Sequence, residues 1–256
     1  MSKKVDYNSI AATYDNRYKA NNLSDVSDTL KAVTKKVNAD RVLEVGCGTG
    51  KWLADLRPFV KELYGVDPSM GMLGKARERD ETFNLLCTRD TEMQFNDSFF
   101  DLIFCVNAIH HFNEPSSFVK KAFQMLRPVG TFCIIGWDPT TPEDYWYIYD
   151  YFYGIRETDL ERFPSWSDVK SWMENANFSD ITLNKIKVIS DKHEGKDVLD
   201  SPFIKKDSCS QFILLTNEEY ANGMESIRKA ILKAEANNTV LEFKTRITTA
   251  ILSGIK

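Results

Sequence analysis

Val42-Leu43-Glu44-Val45-Gly46-Cys47-Gly48-Thr49-Gly50 decides the fold. A short apolar strand, Arg41 to Val45, runs into three alternate glycines, and an amphipathic stretch from Trp52 to Phe59 reads as the helix that follows. Glycine lets the backbone take a positive φ and come close to a ligand, and a helix start behind it leaves backbone N–H groups without internal partners. A dinucleotide-binding turn needs G-x-G-x-x-G; here its last glycine position holds Lys51. A P-loop is excluded because no Gly-Lys-Ser/Thr follows. The turn is built for a ligand other than a pyrophosphate.

Outward from this turn the pattern alternates. Leu23 to Val37 reads as a helix, with Val26, Leu30, Val33 and Val37 on one face. Glu62 to Val66 is a second strand, ending in Asp67, and Ser69 is placed to cap a helix running to about Arg79. Further strands are expected at Phe83 to Cys87, Phe100 to Val106 and Val129 to Trp137, with a helix opening at Pro115, where a missing N–H costs little. Continuous apolar strands alternating with helices predict a parallel sheet covered on both faces.

After Trp137 the texture changes. Residues 139 to 163 are rich in aromatics, from Tyr145 to Tyr153. Ser165 with Asp168 and Thr216 with Glu219 have the spacing of capping boxes. Ile181 to Ile189 alternates like a half-exposed strand, and the stretch from Leu241 to Ile251 like a long antiparallel strand at the end of the sheet.

Together, the Glu44 to Gly50 turn, Val66-Asp67-Pro68-Ser69, the Phe99 to Ile103 strand entry and Leu126-Arg127-Pro128-Val129-Gly130 resemble the class I S-adenosylmethionine-dependent methyltransferases, in their small-molecule-type branch. The resemblance is strong over residues 5 to 137. It implies an α/β, doubly wound, seven-stranded and mostly parallel sheet whose last strand is antiparallel, with an α-rich substrate cap inserted. The expected organisation is one domain over 1–256, with an N-terminal helical lid at 1–40, a cofactor-binding core at 41–137, and cap insertions at 138–163 and 191–238. The implied cofactor is S-adenosyl-L-methionine, and the implied reaction is methyl transfer to a small-molecule acceptor.

Under this resemblance Gly46, Cys47, Gly48 and Gly50 pass beside the amino-acid end of the cofactor, and Glu44 orders the turn or reaches the cofactor's amino group through it. Asp67 holds the ribose hydroxyls, with Pro68, Ser69 and Met70 next to it. Arg89 and Asp90, in the loop before the fourth strand, are candidates for the adenine contact, although Thr88-Arg89-Asp90-Thr91-Glu92 departs from the family's usual acidic pattern. Asn107 ends the fourth strand near the methionine portion. Arg17 is expected to pair with the cofactor carboxylate, and Tyr14 to cover the methyl. His110, beside His111, is the candidate base, because imidazole titrates near neutrality; packing roles for both histidines stay open.

Composition narrows the partners. A formal net charge of −4, without long runs of one sign, offers no basic footprint for nucleic acid. A methyltransferase acting on tRNA or another macromolecule, or a non-catalytic cofactor-binding subunit, remain the alternatives. Three histidines and five scattered cysteines without a CxxC pair predict neither a metal site nor a disulfide framework. The apolar runs are strand-length, far short of a bilayer span, and the polar start resembles no signal peptide. A cytoplasmic protein without membrane partners, monomeric or homodimeric, is expected.

Overall fold

The computed structural model describes residues 5–15, 18 and 23–256. Its strands are β1 (Arg41–Val45), β2 (Glu62–Asp67), β3 (Asn84–Cys87), β4 (Phe100–Val106), β5 (Leu126–Gly136), β6 (Tyr145–Trp146), β7 (Ser179–Glu194) and β8 (Glu242–Ile255). The sheet order is β3-β2-β1-β4-β5-β8-β6, with β7 also pairing β8. Strands β1 to β5 are parallel neighbours, and β8 runs antiparallel to β5 from Thr131↔Ile255 to Gly136↔Ala250. The doubly wound, mostly parallel architecture is the expected one. Among the described residues it has eight strands rather than seven, because the two-residue β6 joins β8 at Tyr145↔Arg246.

The chain divides into two compact units. The larger comprises the described residues of 6–138, with 164–187 and 249–256; the smaller comprises Val5, 139–163 and 188–248. The strands β7 and β8 run through both.

In the larger unit, the two-residue period of a strand sorts its side chains into two cores. Leu43, Val45, Ile103, Cys105, Phe132 and Ile134 face one side, covered by α4 (Pro115–Met125) and α7 (Trp166–Asn175) through Phe118, Ala122, Val169 and Met173. Val42, Leu63, Leu102, Phe104 and Ile135 face the other. That side is covered by α1 (Ser24–Lys36), α2 (Lys51–Leu56) and α3 (Met70–Arg79) through Leu30, Trp52, Leu53 and Leu73. Each such side chain, fully buried, stabilises the fold by roughly 1.5–3 kcal/mol.

Local polar contacts fix the ends. Asp101 on β4 accepts from the backbone N–H groups of Asp40 and Arg41, both at 2.7 Å, and so pins the start of β1. Arg127 pairs with the same carboxylate. Ser69 caps α3 by accepting from Met72 N at 3.2 Å, and the box of Ser165 with Asp168 opens α7. β5 begins earlier than its apolar pattern suggests, at Leu126, with a register irregularity between Phe100 and Leu102 that absorbs Pro128 and the positive φ of Val129.

The smaller unit holds α5 (Ile148–Tyr151), α6 (Ile155–Arg162), α8 (Ser210–Ile213) and α9 (Asn217–Ala236). The box of Thr216 with Glu219 opens α9. Most of the aromatic run packs into this unit's own core: Tyr147, Phe152, Phe212 and Phe243 are buried with Ile148, Ile227 and Ile231. Tyr145 and Tyr153 are exceptions, both exposed and Tyr153 almost fully. No helix among the described residues is long and apolar enough to cross a membrane.

Candidate functional site

β1 delivers the chain into the glycine turn, and the end of β2 receives it. Gly46 N and Cys47 N both donate to Val66 O, at 2.7 and 3.0 Å. Gly46 has a φ of 75°, and a Cβ there would meet Ala108 Cβ at 2.5 Å, so only glycine lets the turn close against the segment after β4. Gly48, with a φ of 51°, faces open space: nothing lies nearer to a Cβ built there than Tyr14 Cε1 at 4.0 Å. One glycine makes room for the protein and the other for something else.

Asp67 ties the two loops together. Its Oδ2 accepts from Gly48 N at 2.9 Å and its Oδ1 from Ser69 N at 2.8 Å. Burial raises its pKa, and these two donors oppose the rise. Each carboxylate oxygen has two lone pairs and spends one on the backbone, which leaves an acceptor on each oxygen for a diol. Glu44 is 1% exposed, and its Oε2 has no hydrogen-bond partner. Burial first, and the Asp67 charge second, push its carboxyl well above the usual range. An open cradle over Gly48 and a carboxylate with free acceptors fit the nucleoside and amino-acid ends of S-adenosylmethionine.

The N-terminal segment is fastened to the same loops. Asn8 Oδ1 accepts from Ser69 Oγ and Gly71 N, both at 2.9 Å. Thr49 Oγ1 donates to Asp15 Oδ1 at 2.6 Å, Arg79 pairs with the other oxygen of Asp15, and Arg79 Nε donates to Thr49 O at 3.0 Å. The Tyr14 ring lies edge-on to Tyr7 and Tyr18, at centroid distances of 6.0 and 6.1 Å.

After β4, Asn107 takes a φ of 49° and donates its N–H to Ile135 O at 2.8 Å, which turns the chain into a 3-10 turn at Ile109–His111. His110 and His111 have ring centroids 4.0 Å apart. His111 Nε2 lies 2.7 Å from the Tyr7 hydroxyl, their rings edge-on at 5.2 Å.

The structure therefore joins Tyr14, Gly46, Gly48, Asp67 and Ser69 in one place, with Gly50 closing the turn through its N–H to Cys47 O at 2.9 Å. The Cys47 side chain is buried in the core against β2, so Cys47 offers a ligand only its backbone. Pro68 and Met70 flank the buried Ser69 from the surface, Met70 at 63% exposure. Arg89 is exposed, and its carbonyl accepts from Glu92 N and Met93 N, whereas Asp90 is buried rather than solvated. Arg17 lies outside the described residues. Tyr7, Asn8, Asp15 and the specific engagement of His111 are the members that sequence reasoning missed. Their partners lie 34 to 104 residues away, and no local pattern announces them.

The chain is similar in sequence and fold to known methyltransferases. A methyltransferase domain model matches residues 43–134. The uncharacterized methyltransferase YcgJ of Bacillus subtilis is 31% identical over 109 residues, 41% of this chain and 42% of YcgJ. The crystal structure of YcgJ covers 90% of this chain and 98% of its own, at 19% identity and a TM-score of 0.55. The ubiquinone biosynthesis O-methyltransferase of Bradyrhizobium diazoefficiens is 29% identical over 94 residues, 35% of this chain and 37% of that enzyme. A Haemonchus contortus phosphoethanolamine N-methyltransferase 2, in complex with S-adenosyl-L-methionine, superposes with a TM-score of 0.62 at 16% identity, covering 97% of this chain and 57% of that one. In sequence, the chain spans about two fifths of the length of the curated relatives it matches.

Proposed function

We propose that this chain, whose residues 43–134 match a methyltransferase domain model, is a class I S-adenosylmethionine-dependent methyltransferase that methylates a small-molecule acceptor and releases S-adenosylhomocysteine. The observation that carries the proposal is the Asp67 carboxylate, hydrogen-bonded to Gly48 N at the edge of the open glycine turn. The names of the matched relatives support a small acceptor, one placed in ubiquinone biosynthesis and one acting on phosphoethanolamine.

S-adenosylmethionine, when bound, supplies a methyl group activated by a sulfonium. The protein's task is alignment, and fixing the reacting groups within a turn can supply most of the acceleration. In this proposal Gly46, Gly48 and Gly50 present backbone to the amino-acid end, and Asp67 accepts from the ribose hydroxyls. Met70 and Asp90 flank the adenine, Arg17 pairs with the carboxylate, and Tyr14 covers the turn. A base serves only an acceptor that arrives protonated. His110 is the base that the sequence suggests, and its neighbour His111 is held by the Tyr7 hydroxyl at 2.7 Å.

Calorimetric titration of S-adenosylhomocysteine into the wild type and into Asp67→Ala tests the proposal. Losing a charged acceptor for two hydroxyls should weaken binding by about 1.5–3 kcal/mol, roughly 10- to 150-fold. Equal affinity in the two proteins would remove the ribose anchor and the proposal with it. Homocysteine release across a panel of small acceptors then identifies the substrate.

A further inference from the structure

Asp67 and Glu44 are two buried carboxylates of one site, and the structure treats them differently. Asp67 receives two backbone N–H bonds, at 2.9 and 2.8 Å. Glu44, one residue before the end of β1, has an oxygen with no partner at all. The groups that face Glu44 come from every element around it. From α2 come the Leu53 backbone N–H, the Lys51 ammonium and the Asp55 carboxylate; from β2 comes Asp67; the glycine turn and β4 contribute the thiols of Cys47 and Cys105. Among the described residues facing it, Lys51 is the one cation, and it is paired with Asp55. Both thiols are buried and pushed up, so they bring no charge. An ionised Glu44 would sit out of water beside an anion with no cation committed to it, a costly state for any carboxylate. When two interacting acids have unequal donor sets, the better-supplied one holds the charge and the other holds the proton.

We propose that Glu44 is a charge-discriminating residue of the cofactor site: it keeps its proton in the free protein and with the neutral-sulfur product bound, and releases it to solvent when the sulfonium form is seated. The inference rests on the proposed function. S-adenosylmethionine and S-adenosylhomocysteine share the ammonium, the carboxylate and the nucleoside, and differ by the methyl group and the positive charge on sulfur. A cation brought near a buried carboxyl favours its ionised form. The O–H bond of Glu44 breaks, the carboxylate stays, and the proton leaves to the buffer. The methyl leaves in turnover, the positive charge on sulfur goes with it, Glu44 takes a proton back, and the product loses that part of its hold.

The test is calorimetry on the full chain, in two buffers of different ionisation enthalpy, with each ligand separately, for the wild type and Glu44→Gln. The wild type should release more protons with S-adenosylmethionine than with S-adenosylhomocysteine. Its preference for the sulfonium form should climb with pH, by up to about tenfold per unit for one linked proton. Glu44→Gln should bind both ligands with equal proton release and a preference that stays flat with pH. Equal proton release by the wild type, or an undiminished difference in Glu44→Gln, overturns the proposal. Should Glu44→Gln fail to fold, infrared difference spectra of the wild type decide: the protonated-carboxyl band should vanish with the sulfonium ligand and persist with the product, and a band unaffected by both refutes the idea. Binding of S-adenosylmethionine without a proton difference sinks this inference alone; no binding of either ligand takes the proposed function down with it.

Discussion

Each of the two units buries carboxylates, and Asp159 in the smaller and Glu44 in the larger are treated in opposite ways. In the smaller unit, Asp159 is completely buried and saturated: it accepts from the Tyr149 hydroxyl at 2.9 Å, from Gln211 Nε2 at 3.2 and 3.1 Å, and from Arg162 at 3.0 Å. Although Arg162 Nε finds no partner, the guanidinium also reaches Ser210 Oγ at 3.2 Å. In the larger unit, Glu44 has an orphaned oxygen and Asp67 keeps acceptors in reserve beside an open turn. A carboxylate held on several sides by protein groups specifies a packing arrangement, whereas one left short of donors in a folded interior marks a place where something else completes the set.

This contrast can be broken most easily at Asp159. Asp159→Ala strands the Arg162 guanidinium, and breaking a buried pair from one side costs about 3–5 kcal/mol. Urea unfolding should show a loss of that size, while S-adenosylhomocysteine affinity, measured well below the unfolding transition, stays at the wild-type value. A loss under about 1 kcal/mol, within the range of an exposed pair, would mean that the smaller unit's charge is not structural.

Glu44 gives the next effect, and its sign is set by linkage. Its folded pKa stands well above the unfolded value near 4.3. Between the two values the native state binds more protons than the unfolded state, so this group's stabilisation is complete below about pH 4.3 and is lost as pH rises toward the folded pKa. Each tenfold difference in proton affinity between the folded and unfolded states is worth about 1.4 kcal/mol. Without ligand, the advantage of Glu44→Gln over the wild type in urea should therefore widen from pH 4.5 to 7.5. A constant gap would show that Glu44 titrates alike in both states.

The sequence exposed those parts of the molecule that rest on near neighbours. The strand running into Gly46, the cap at Ser69, both capping boxes and the antiparallel β8 each follow from residues a few positions apart, where periodicity and capping chemistry act. The eighth strand escaped because two residues, Tyr145 and Trp146, carry no period. The start of β5 at Leu126 escaped because Pro128 and Val129 look like a turn, and it takes Lys256 O, accepting from Val129 N at 3.0 Å, to hold them in the sheet. Within the site, Glu44, Asp67 and the glycines were legible as a motif. How His111 is held, and what Asn8 does, depend on pairs brought together by the whole fold.

Asn8 gives the smallest effect and the sharpest use of the contrast, because its side-chain oxygen is spent on protein donors, like Asp159, yet it sits on the larger unit's loops. Its Oδ1 accepts from Ser69 Oγ and Gly71 N, 61 and 63 residues away, so no local preference would keep the N-terminal segment there without it. Neutral hydrogen bonds contribute about 0.5–1.5 kcal/mol each. Asn8→Ala should therefore raise amide exchange at Gly71 and through residues 7–15 by roughly five- to tenfold, an opening cost of about 1–1.4 kcal/mol. Ser69 still caps α3 through Met72 N, so the helix itself should hold. Asn8→Asp offers two acceptor oxygens to the same donors at the first turn of α3, where a negative charge is favoured, and should restore protection. If Asn8→Ala exchanges as slowly as the wild type, the segment is held by Asp15 and the aromatic contacts of Tyr14 instead. Faster exchange in Asn8→Ala that is absent in Asn8→Asp assigns the fastening to the hydrogen bonds themselves.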